Sequence, residues 1–155
     1  MASFLNDTNV SYYTIPVALG LALYPRVYAG LSGPGKKYFT PQNPRAFVDN
    51  LEKTEALDKK LRLRLIRAEA CGANAFENLP LFAAAVTAGN AAGLSVQALN
   101  YLSVGYIVSR IAYTWVYIFG LGDRNVHPLA RTAVWSAAIG CVMTLFVKAG
   151  LKSQP

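Results

Sequence analysis

From Asn78 to Ser109 this chain carries no charged side chain over 32 residues, and that run restricts what it can fold into. The run exceeds the roughly 20 residues that cross hydrocarbon once. Gly89-Asn-Ala-Ala-Gly93-Leu-Ser95 divides it, and such a cluster marks a tight turn between two helices. Gly89 and Gly93 spell GxxxG, but at a helix boundary the pattern reads as a helix end rather than a dimer face. Similar apolar segments lie near each end of the chain. The expectation is one domain, 1–155, with helices at about 12–31, 57–92, 96–121 and 129–150. No internal repeat, strand pattern or hairpin signal appears. The fold class is therefore all-α, a four-transmembrane-helix bundle.

Composition agrees. The chain is 54% hydrophobic and only 15% charged, ordinary for a small integral membrane protein and unusual for a soluble domain. A net charge of +7 would suggest nucleic acid in a soluble protein. Here ten of the fifteen Lys and Arg lie between Arg26 and Arg67, interrupted by Asp49, Glu52, Glu55 and Asp58. That segment reads as a long loop touching anionic headgroups, and no nucleic-acid partner is expected. The first and third connections hold most of the basic residues, so the positive-inside rule sets both termini on the lumenal or exterior side. Asp7 and the lack of a basic residue before the first apolar stretch argue against a cleaved signal, so the first helix is retained. Cys71 and Cys141 read as small buried apolar residues, and the sole histidine, His127 before Pro128, as a helix cap. No metal site is expected.

Polar residues recur at helical spacing. Arg67, Asn74 and Glu77 are separated by seven and three, so they share one side of the second helix. Tyr106, Arg110, Tyr113 and Tyr117 form a matching stripe on the third. Arg131 opens the fourth helix, and Arg124 lies in the connection before it. A charged group at the centre of a bilayer-spanning helix costs about 2.5–3.5 kcal/mol on insertion scales, so it marks a function by default. Guanidinium forks bind carboxylates, a glutamate accepts from an ammonium, and an arginine beside a thiol lowers its pKa. Glutathione combines those groups. A plainer reading stays open: Arg67 pairs with Glu69, and individual tyrosines belong to the interfacial belt, as Tyr12, Tyr13, Tyr24 and Tyr28 do in part.

The pattern Arg67-Ala-x5-Asn74-x2-Glu77-x2-Pro80-x-Phe82 resembles the signature of the MAPEG family, membrane-associated proteins in eicosanoid and glutathione metabolism. Arg110-x2-Tyr113-x3-Tyr117 resembles that family's second motif, and Pro128-Leu-Ala-Arg131-Thr its third. The resemblance implies a homotrimer in the endoplasmic reticulum or another endomembrane. It implies glutathione as co-substrate, bound between subunits by Asn74, Glu77, Tyr113 and Tyr117, with Arg67 and Arg110 in support. Arg131 would stabilise the thiolate, Arg124 being the alternative, and Arg26 is a further candidate for the same pocket. The implied function is a glutathione-dependent transferase or peroxidase for lipophilic electrophiles that enter from the lipid bilayer. One departure stands out: Ala70 occupies the position, four before the asparagine, where catalytic members carry arginine. The alternative is a non-catalytic lipid-binding or scaffold member. A transporter or channel, with Glu77 and the arginines lining a polar path, is a more remote reading.

Overall fold

The computed structural model describes residues 6–31, 33–124 and 126–154, and every regular element in them is helical. After a 3-10 turn at Ser11–Tyr13, helix α1 spans Thr14–Arg26 and runs into a π turn, Val27–Leu31. Helix α2 is short, Phe47–Lys53. Helix α3 spans Lys59–Ala91 and α4 Val96–Trp115, the latter extended by a second π turn at Val116–Gly120. Helix α5 spans Pro128–Lys152.

The helix boundaries follow local chemistry. Asp58 accepts from the Leu61 amide at 3.1 Å, and Ser95 accepts from the Ala98 amide at 3.3 Å, each filling an orphan donor of a first turn. His127 Nδ1 accepts from the Leu129 amide at 3.2 Å, with Pro128 at the first helical position. The GxxxG ends α3. Gly93 takes φ +67°, its amide donates to Asn90, and the Leu94 amide donates to Gly89, both at 3.0 Å. That pair of bonds is a Schellman cap.

Three segments are long and apolar enough to cross a membrane: Ser11–Leu31, Val96–Gly120 and Pro128–Lys152. Helix α3 has 33 residues, roughly 50 Å at 1.5 Å per residue. It falls short on apolarity, because only its last 14 residues, Asn78–Ala91, follow the charges between Lys59 and Glu77.

The four long helices form a ring in the order α1, α3, α5, α4, with the most extensive packing between α4 and α5. Consecutive α3 and α4 pack less against each other than either does against α5. Small residues set the close approaches: Gly72 of α3 faces the Ala22 carbonyl of α1, and Gly105 of α4 faces Cys141 of α5. One apolar core joins Ala18, Phe82, Val86, Tyr106, Ala138 and Leu145, with Phe82 stacked on Tyr106 at 3.8 Å. A second core, nearer the basic end, joins Ala29, Leu65, Ala68, Cys71, Tyr113 and Ile118.

The first connection is more structured than its turn signals suggest. It folds into 3-10 turns and α2, which buries Phe47 and Leu51, 1% and 0% exposed, in the second core. Those residues are four apart and so share a helix face. Asn50 Nδ2 donates to the Tyr38 carbonyl at 3.1 Å, and Arg62 donates to the Thr54 carbonyl at 2.7 Å, fastening the segment to α3. At the other end of the bundle, Asn100 accepts from the Val10 amide at 2.9 Å and donates to the Thr8 carbonyl at 2.7 Å. The segment ahead of α1 is thereby held against α4.

Candidate functional site

Between the two apolar cores lies a polar layer. Arg110, in the apolar span of α4, is only 3% exposed. Its two terminal nitrogens donate to Asn74 Oδ1, each at 3.3 Å, and its guanidinium lies 4.3 Å from the centre of the Tyr113 ring. Among the described residues no carboxylate forms an ion pair with it. A buried guanidinium that meets an amide and a ring face, with no carboxylate paired to it among the described residues, favours an anion nearby.

A cavity of about 270 Å³ opens beside this pair. Ala70 and Asn74 of α3, Tyr113 and Tyr117 of α4 and its π turn, and Arg131, Thr132 and Trp135 of α5 line it. Arg131 stands 5.1 Å from the centre of the Tyr117 ring, and the two tyrosine rings are 5.5 Å apart. One guanidinium, one amide, two phenols and a hydroxyl thus surround a space walled by an indole and a methyl group. That set can bind and orient an anion and donate hydrogen bonds to it.

Other residues singled out by spacing lie elsewhere. Glu77 is exposed, outside the cavity lining. Arg67 does not pair with Glu69. Its guanidinium donates to the Ile118 carbonyl at 3.1 Å, inside the second π turn, and lies against Gly122, where a Cβ would displace it. Arg26 pairs with Glu69 at 3.0 Å, linking the end of α1 to α3. Glu69 is 8% exposed, and its Oε1 has no hydrogen-bond partner among the described residues. Arg124 stands 4.9 Å from the Trp115 ring centre, away from the cavity. The structure therefore brings together Asn74, Tyr113, Tyr117 and Arg131, with Arg110 behind Asn74.

Thr132 and Trp135 escaped the sequence reading, although Trp135 is four residues after Arg131 and hence on its side of α5. The Arg26–Glu69 pair leaves no mark in the sequence, because nothing local identifies a partner 43 residues away. Among the described residues no group of three or more His, Cys, Asp or Glu could hold a metal ion.

No curated protein and no solved structure matches the chain. A model of the MAPEG family matches residues 11–151, from the first 3-10 turn almost to the end of α5. The match takes in every helix that lines the cavity, and the chain belongs to the MAPEG family.

Proposed function

We propose that this protein is a membrane-bound glutathione-dependent transferase or peroxidase acting on lipophilic electrophiles. The observation that carries the reading is the cavity in which Asn74, Tyr113, Tyr117 and Arg131 converge beside buried Arg110. Its 270 Å³ lies just below the roughly 300–1,000 Å³ of ligand sites, consistent with one half of a site that a neighbouring subunit completes. In a homotrimer, glutathione bound between subunits would bring its ammonium to the exposed Glu77 carboxylate. In this reading all four long helices cross an endomembrane, with both termini lumenal, and the charged first half of α3 is shielded by its neighbours or projects beyond hydrocarbon.

The mechanism follows from the groups present. Asn74, Tyr113 and Tyr117 hold the tripeptide, and Arg131 stabilises the thiolate that forms when the thiol proton leaves to water. The sulfur then bonds to an electrophilic carbon as the leaving group departs, and catalysis is positional and electrostatic. With a hydroperoxide, the thiolate attacks the peroxide oxygen and releases the alcohol. A second glutathione then forms the disulfide and water. Purified protein in detergent, given glutathione and a generic aromatic electrophile, is expected to form the conjugate, and Arg131→Gln to slow it at least tenfold. No conjugate from the unaltered protein contradicts the proposal.

Ala70 favours a second reading, a lipid-binding or scaffold protein without catalysis. It puts a methyl group on the cavity wall where the family pattern has a guanidinium. Glutathione binding at millimolar concentration or tighter, lost on Glu77→Gln, counts against that second reading.

A further inference from the structure

Two openings meet on the far side of α4. At 100° per residue, Ile111 and Trp115 project opposite to Tyr113 and Tyr117. The first opening is an apolar groove of about 280 Å³ between α1 and α4, lined by Leu21, Tyr24, Ile111, Thr114, Trp115 and Phe119. The second, of about 450 Å³, is lined by Arg64, Trp115, Phe119 and Arg124. Trp115 and Phe119 line both, so the two adjoin across these rings. Each arginine stands over one of the shared rings: Arg124 4.9 Å from the centre of Trp115, and Arg64 5.8 Å from that of Phe119. Tyr24, Ile111 and Trp115 are 47%, 51% and 44% exposed, within segments apolar enough to cross a membrane.

The geometry points to a binding site for one anionic phospholipid, separate from the cavity beside Asn74. The phosphate sits between Arg64 and Arg124, and one acyl chain lies along Leu21, Tyr24 and Ile111. Guanidinium forks match phosphate oxygens, and aromatic rings at the hydrocarbon boundary fix the depth of the headgroup. A free anion would use only the charged end. The apolar lane running from it along two spans selects a lipid. The site stands at the basic end of the bundle, where anionic lipid gathers.

The chain has two tryptophans, Trp115 and Trp135, so one substitution isolates the reporter. Full-length Trp135→Phe protein is reconstituted in vesicles doped with lipid brominated on its acyl chains, bearing either a phosphatidylglycerol or a phosphatidylcholine headgroup. Trp115 fluorescence is expected to be quenched by the anionic lipid at about one thirtieth of the mole fraction needed for the zwitterionic one, the scale expected of two arginines at about 1 kcal/mol each near a membrane surface. Arg64→Gln with Arg124→Gln abolishes the preference. In Trp115→Phe protein, where Trp135 reports, both headgroups quench alike, and this control does not depend on how the arginine variant folds. Millimolar inorganic phosphate leaves the quenching of Trp115 unchanged. Equal quenching of Trp115 by both headgroups overturns the site. So does a preference that survives the double substitution or appears at Trp135, and so does relief by phosphate alone.

Discussion

Asn74 sets a single carbonyl oxygen between the two terminal nitrogens of Arg110, 3.3 Å from each, in a layer that separates two apolar cores. This amide has two tasks. It satisfies a buried guanidinium from α3, and it lines the cavity that the guanidinium itself does not reach. Removing it strands a charge in the bundle and opens one wall of the site.

Asn74→Ala is expected to destabilise the protein by about 1–3 kcal/mol, the cost of leaving a buried donor unmet. Adding Arg110→Met restores part of the loss, because an apolar pair of similar volume replaces a polar one. Denaturation midpoints in detergent for the two variants check this. A double variant no more stable than Asn74→Ala contradicts it.

Ala70→Arg directs a guanidinium toward the cavity. One bidentate contact to a carboxylate is worth about 1.5–3 kcal/mol, so glutathione should bind on the order of tenfold or more tightly. Calorimetric titration of both proteins reads this directly. Unchanged or weaker binding would show that position 70 faces no ligand carboxylate.

Gly122 and Arg67 form one unit. A methyl group at 122 meets the Arg67 guanidinium, which also holds the Ile118 carbonyl at 3.1 Å. Gly122→Ala is expected to displace the guanidinium and cost about 0.5–1.5 kcal/mol, the worth of the Ile118 hydrogen bond that it gives up. In an Arg67→Ala background the same change has no guanidinium to displace and costs nothing measurable, a coupling that a double-mutant cycle measures. Additive losses contradict the arrangement.

Leu51→Ala removes a side chain that α2 buries completely, so the loss is expected near 2–5 kcal/mol. Limited trypsin digestion should then cut sooner at Lys53 and Arg45, both in or beside α2. Unchanged digestion means that α2 does not depend on this core.

The sequence announced most of the architecture because its signals are local. Asp58, Ser95 and the His127-Pro128 pair each cap the helix that they precede, and Gly93 stops α3. Helix α2 was hidden by its length: Phe47 and Leu51 make one apolar pair, too few to establish a period. Within the site, periodicity groups Asn74, Tyr113 and Tyr117, which line one cavity close to their own helices. It failed for long side chains. Arg67 shares a helix face with Asn74, yet its guanidinium turns to the Ile118 carbonyl, a group inside a π turn that no residue pattern marks. Arg26 is claimed by Glu69, a pairing fixed only when α1 and α3 come together.

The central claim is that Arg131, across from Tyr117, stabilises the thiolate of bound glutathione. The most direct measurement is the ultraviolet thiolate absorbance that appears when glutathione is titrated into purified protein at neutral pH, where a free thiol of pKa about 8.5 is mostly protonated. The unaltered protein is expected to give a saturable thiolate signal, and Arg131→Gln to lose it while remaining folded. No signal at saturating glutathione, or a full signal in Arg131→Gln, contradicts the account.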